Sequence, residues 1–435
     1  MIILNEGQER IVNEALYWFR NQSEQVFEIE GQAGTGKSVV LMEIVRRLGL
    51  NPKEYMPMAY TGQASIIMRL KGFPYAKSIH SSLYHIIKEP IIDGEINDPF
   101  HINTEFNTEK FVYHFVPYAE GELGRDVKLL VIDEAYMVPR AMRNDILKHG
   151  IKVLVAGDSC QLPPINDDPA FLIGDNIHYL TQLMRQAEDN PIIYLAHRAR
   201  RGDPIHCGIY GDKALVIEEK DLTNEMVLNV GNIVCGTNKT RDKFNFTIRH
   251  LLGLSDYPQF GDRIICRNNN WEIEMDNVAL ANGLTGVITS PIDASSFQDK
   301  EKTVINISFK PDLLNKSFIN LKANYEYMIS DYNRRNEIKN NRFSRGELFE
   351  YAYALTTHLS QGAEYYSGIF YEEFLRPNIQ NQLIYTGITR FKNSMIYVKK
   401  GKTYYWNIYL NIIIIIYYNY IEIERSNKYY AWKIW

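Results

Sequence analysis

The sequence predicts an α/β fold with parallel sheets, and three observations carry that prediction. Short apolar runs alternate with stretches of helical spacing: VFEIE from Val26, MPMAY ending near Tyr60, KLLVIDE from Lys128 to Glu134, KVLVAGD from Lys152 to Asp158, and GNIVCGT from Gly231 to Thr237. Strands covered by helices on both faces read this way. A glycine-rich loop, GQAGTGKS, separates the first run from an amphipathic segment, VVLMEIVRRLG, that ends at Gly49. The pattern then breaks between about Asn268 and Gly346, where FGDRIICRNNNW, NGLTGVITS and KTVINISF read as strands with turns at Asn-Gly and Gly-Asp, so a mostly β insertion is expected there. A smaller insertion is expected between His85 and Arg125, where short segments are rich in Asp, Asn, Pro and aromatics.

The 435 residues are enough for two to four domains. Hydrophobic residues at 45% and charged residues at 23% exclude wholesale disorder. A net charge of −4 supplies no global basic field, so nucleic-acid binding would need a local basic groove. Cys160, Cys207, Cys235 and Cys266 are scattered without zinc-site spacing, which fits a reduced, cytoplasmic protein. The start, MIILNEGQER, lacks the pattern of a secretory leader. Ile408 to Ile421 is Ile/Tyr-rich but too short and too interrupted for a spanning helix, so no membrane partner is expected, and 401–435 is read as a low-complexity tail.

The chemistry begins at Gly31 to Ser38, which satisfies GxxxxGK[ST]. Gly31, Gly34 and Gly36, with Thr35 among them, let backbone N–H groups curl around a β-phosphate; Lys37 adds charge for the β and γ oxygens, and the Ser38 hydroxyl suits Mg²⁺. LLVIDEAY places Asp133 and Glu134 at a strand end, where one carboxylate can hold the metal's water shell and the other can polarise an attacking water. Alone, this pair also fits a solvated strand end; after the upstream loop it points to NTP hydrolysis. In VLVAGDSCQLPPI, Gln161 lies just past another strand, where it can sense a γ-phosphate through water.

The order of the segments adds a resemblance. LNEGQERIV, GQAGTGKS, AYTGQAS, SIHSSLY, VIDEAY, GDSCQLPP, LTQLMRQ, LTTHLSQGAEY and YTGITRFK follow one another between about Leu4 and Lys400, and together they resemble the ordered motifs of superfamily 1 DNA helicases of the RecD/Dda-like branch. The resemblance implies two RecA-like P-loop lobes: 1–180, with its insertion at about 85–125, and 181–267 resumed at 347–400, interrupted by a β-rich, SH3-like insertion at 268–346. It implies ATP and Mg²⁺ as cofactors, single-stranded DNA and single-strand/duplex junctions as partners, and 5′ to 3′ movement as a monomer, with a pin from the first insertion. Gln8 would read adenine, Lys37 and Ser38 would hold phosphate and metal, Asp133 the metal, Glu134 would be the base, Gln161 the sensor, and Arg185 and Arg390 the second-lobe arginines at the γ-phosphate. Arg suits that task because its planar fork stays charged.

Thr61, Ser78, His80, Thr357 and His358 fall in the DNA-facing segments, where hydroxyls and imidazoles can grip sugar-phosphate oxygens without reading sequence; each His fits a packed hydrogen-bonding role equally well. Trp271 is read as a core aromatic of the β insertion in preference to a base-stacking platform. Gln63, Tyr60, Leu359 and Phe391 depart from the family pattern, and two of these changes remove positive charge near the expected DNA path, which predicts weaker or less salt-sensitive binding. A phosphate-loop kinase acting on a small acceptor, or a non-catalytic nucleic-acid-binding protein of the same fold, are the rival readings.

Overall fold

The computed structural model describes residues 3–90, 111–165, 167–184, 189–276, 278–292, 297, 303–340 and 345–400. The chain opens with helix α1 (Glu6–Asn21), whose N-terminus is closed by a reciprocal capping box between Asn5 and Gln8. Strand β1 (Val26–Gly31) follows, then α2 (Lys37–Leu48), which stops where Gly49 turns left-handed and donates its N–H to the Arg46 carbonyl. Next come β2 (Tyr55–Ala59), α3 (Gly62–Leu70), the short β3 (Lys77–Ser78) and α4 (Ile79–Leu83). Strands β4 (Tyr84–Pro90) and β5 (Phe111–Pro117) form an antiparallel ribbon where the first insertion is expected. After it run β6 (Leu129–Asp133), α5 (Arg140–Leu147), β7 (Lys152–Gly157) and β8 (Ile177–Leu180).

The first sheet is parallel, in the order β3-β2-β6-β7-β1-β8. Residues Leu129 to Ile132 of β6 are all buried, as expected for a central strand covered on both faces. β1, β6 and β7 share one direction, so their carboxyl ends open on one edge, and that edge receives the glycine loop, Asp133–Glu134 and Gln161.

The second sheet collects β9 (Gly208–Tyr210), β10 (Ala214–Glu218), β11 (Asn232–Cys235), β19 (Ala354–Thr356), β20 (Tyr365–Tyr371) and β21 (Phe391–Lys399), in the order β19-β11-β20-β21-β10-β9. Only the edge strand β9 runs antiparallel. The helices Pro191–Arg201 and Gln380–Ile388 pack side by side in this lobe. These two layered sheets are the RecA-like lobes.

A third, antiparallel sheet has the order β17-β16-β15-β12-β18, from β12 (Arg263–Cys266), β15 (Thr285–Ile288), β16 (Val304–Pro311), β17 (Phe318–Asn324) and β18 (Phe349–Tyr351), while β13 (Asn270–Met275) and β14 (Val278–Leu280) form a separate ribbon. The sheet extends past the 268–346 expected for the insertion on both sides. Arg263–Cys266 and Phe349–Tyr351 pair with each other here rather than in the second lobe, because their buried side chains complete the core around Phe309 and Leu321. The tail at 401–435 lies outside the described residues.

Candidate active site

Gly34 and Gly36 take φ of +87° and +83°, a region that glycine enters without strain. A Cβ at Gly36 would stand 2.6 Å from Nε2 of Gln8, so the loop is backed directly by α1. Gln8 is buried and donates to the Thr35 carbonyl at 2.9 Å and toward the Met184 sulfur at 3.1 Å. Lys37 opens α2, and its Nζ donates to the Gly31 carbonyl at 2.6 Å and the Gln32 carbonyl at 3.3 Å.

The Ser38 hydroxyl donates to Asp133 Oδ2 at 3.1 Å, and Asp133 Oδ1 accepts the Glu134 N–H at 2.9 Å. The loop and the end of β6 are thereby tied into one oxygen-rich corner. Glu134 sits at φ +54°, left-handed backbone that a side-chain-bearing residue adopts at a cost of about 1–3 kcal/mol and that clusters at functional sites. Burial pushes the Glu134 carboxyl above its usual range, and the neighbouring Asp133 charge adds to this, while Arg390, Lys37 and Lys71 oppose it.

The second lobe closes the site. A cavity of about 520 Å³ is lined from one side by Gly34, Gly36, Lys37, Ser38, Asp133, Glu134 and Gln161, and from the other by Gly362, Glu364, Arg390 and Lys392. Arg390 is buried; its Nε donates to the Thr386 carbonyl at 3.0 Å, Nη1 to the Ala363 carbonyl at 3.2 Å, and Nη2 to Gln161 Oε1 at 3.2 Å. The expected sensor and the expected arginine are therefore hydrogen-bonded across the lobe boundary. Arg185, the other expected arginine, lies outside the described residues.

Several residues of this seam are not signalled by the sequence. The Tyr385 hydroxyl donates to Asp158 Oδ2 at 2.5 Å and accepts the Ala33 N–H at 2.9 Å, so one second-lobe phenol touches both the glycine loop and the strand-end Asp. Leu162 N–H donates to Thr386 Oγ1 at 3.0 Å, and Gln361 Nε2 donates to the Leu162 carbonyl at 2.8 Å. Lys71, Glu364 and Lys392 also line the cavity. YTGITRFK and LSQGAEY hold five of them (Tyr385, Thr386, Lys392, Gln361 and Glu364), but nothing local in those segments indicates which side chains reach across.

The DNA-facing expectations divide. Thr61 caps α3, accepting from the Ala64 N–H at 3.1 Å, and Ser78 caps α4, accepting from the Ser81 N–H at 3.2 Å. Ser78 lines a small cavity of about 90 Å³ with Arg69, Lys77, Ser81 and Trp271. His80 stands among Tyr60, Tyr84 and Phe115, and burial pushes its imidazole down to about 4, so it is uncharged at neutral pH. Burial lowers His358 as well. Thr357 does not meet its expectation. It is wholly buried and its hydroxyl donates to the Cys235 carbonyl at 3.0 Å, because the turn after β19 sits on the end of β11, where the Thr357 N–H donates to the same carbonyl at 2.7 Å. Trp271 packs against Phe115 of the β4–β5 ribbon at 5.0 Å, joining the two insertions rather than filling the core of one.

A glycine loop, a strand-end acid pair and an arginine from a second RecA-like lobe define a two-lobed phosphate-loop protein. A family model described as an AAA domain matches residues 3–221, half of the chain, and the chain belongs to that family. The ATP-dependent RecD2 DNA helicase of Deinococcus radiodurans is 24% identical over 310 residues, 64% of this chain; the chain spans 37% of that relative's length. Among solved structures, Bacteroides Pif1 bound to ssDNA is 18% identical with a TM-score of 0.55, covering 99% of this chain and 98% of that one. Pif1 helicase from Bacteroides in complex with ADP-AlF3 and ssDNA is 18% identical with a TM-score of 0.54, covering 96% and 98%. The fold is thus that of these Pif1 helicase structures.

Proposed function

We propose that the protein hydrolyses ATP between its lobes and uses the cycle to move along single-stranded DNA, 5′ to 3′, opening duplex at junctions. The observation that carries this reading is the placement of Arg390, which lines one cavity with Lys37, Ser38, Asp133 and Glu134 although it comes from the other lobe. A kinase for a small acceptor has no need of that second-lobe arginine.

Magnesium fits the donor set, since Ser38 and Asp133 present hard oxygens 3.1 Å apart; when bound there with the phosphates it would supply charge neutralisation. Lys37 exchanges its two loop carbonyls for phosphate oxygens. Glu134, held next to Asp133, takes a proton from the attacking water. Gln161 and Arg390 sense the γ-phosphate together, so that its loss loosens the lobe boundary at which they meet. Opening and closing then alters the grip of the Thr61, Ser78 and His358 segments on the strand, a coupling that needs two states of different affinity. The reading includes action as a monomer in the cytoplasm, and among the described residues no helix is long and apolar enough to cross a membrane.

The test is Mg·ATP turnover with and without single-stranded DNA, alongside unwinding of duplexes with 5′ or 3′ overhangs. DNA-stimulated turnover, lost in Lys37→Ala with the fold retained, is expected, with the 5′ overhang preferred. Turnover indifferent to DNA but responsive to a small acceptor would refute the reading.

A further inference from the structure

Helix α3 forms a wall between two cavities. Its Ala64 and Ile67, and Lys71 just past its last residue, face the inter-lobe cavity, while Gly62, Ser65 and Arg69 face the smaller one beside Trp271. At its first turn α3 meets the second lobe closely: a Cβ on Gly362, at φ +73°, would lie 2.7 Å from that of Ala64. At its far end Lys71 Nζ reaches Glu364 Oε1 of the second lobe at 2.8 Å. Lys392, on β21 of the same lobe as Glu364, takes the other carboxylate oxygen.

These side chains line the cleft rather than open surface, with Lys71 and Glu364 36% and 28% exposed, so solvent screens the pair incompletely. Burial alone would raise the Glu364 carboxyl, but Lys71 and then Lys392 hold it below its usual range. Lys71 also feels Asp133 and Glu134, so carboxylates of both lobes act on a single first-lobe ammonium.

We propose that Lys71 and Glu364 form a latch across the cleft, a positioning pair that favours the closed lobes and lowers the ATP concentration needed for turnover. The latch rests on the nucleotide site proposed above. The pair Lys220–Glu218 is the internal control, because it lies within the second lobe and does not line the cavity.

The experiment measures ATP kcat and KM, together with the lobe separation read by energy transfer between non-cysteine dye labels at the exposed positions Lys53 and Lys239, in nucleotide-free full-length protein. Lys71→Met should raise KM about 3- to 10-fold, as expected for a partly buried ion pair, and leave kcat within about twofold, since bound nucleotide itself draws the lobes together. It should also lengthen the dye separation with no change in melting temperature. Lys71→Arg should restore both, and Lys220→Met should leave both unchanged. An unaltered KM and dye separation in Lys71→Met, or an equal loss in Lys220→Met, would overturn the latch. Wild-type protein without Mg·ATP turnover would instead refute the nucleotide reading, and the dye separations would then judge the latch alone.

Discussion

Glu134 combines a carboxyl raised by burial with left-handed backbone at the end of β6. The two features separate by substitution. Glu134→Gln keeps the side-chain volume and should lower kcat by about 10² to 10⁴-fold, the usual contribution of a general base, while nucleotide binding persists; single-turnover hydrolysis checks it. Glu134→Gly relieves the backbone strain and removes the same carboxylate, so it should be as inactive yet melt no lower than wild type.

His80 gives a prediction in pH. Its folded value of about 4 lies below the ordinary 6.5, so the unfolded chain binds the proton more readily. The stability gained by keeping the ring neutral is complete above about 6.5 and is lost as pH falls from there toward about 4. Urea midpoints at pH 7 and pH 5 should therefore diverge more in wild type than in His80→Phe, which keeps the aromatic packing and removes the titration.

Among elements, the glycine loop and the helix Gln380–Ile388 are joined through Tyr385. Tyr385→Phe leaves buried Asp158 without its phenol partner and the Ala33 N–H without an acceptor, and unmet buried polar groups cost about 1–3 kcal/mol each. A lower melting temperature and a raised ATP KM are expected, measured by calorimetry and steady-state kinetics. Element identity was largely legible: VFEIE, KLLVIDE, KVLVAGD and GNIVCGT are strands because apolar runs of that length suit a sheet covered on both faces. The extent of the β insertion was not, since Arg263–Cys266 and Phe349–Tyr351 look locally like any buried strands and only their mutual pairing assigns them.

At the scale of the whole molecule, the departures at Gln63 and Leu359 bear on grip. Gln63 is buried, and Leu359 packs against the second-lobe core, so neither site is an open basic position. Leu359→Lys can keep its stem on that core while extending its charge. If it adds one phosphate contact, the slope of log affinity for single-stranded DNA against log salt should steepen by about 0.7, measured by fluorescence titration.

By itself the sequence determined the glycine loop, the acid pair and the placement of Gln161, because each depends on spacing within a single turn at a strand end. Only the tertiary structure decided which groups complete them. Tyr385 meets Asp158 from 227 residues away, Glu364 meets Lys71 from 293, and Thr357, a candidate by its segment, is turned into the core. Such pairings depend on how two separately folded sheets face each other, and no local periodicity records that relation.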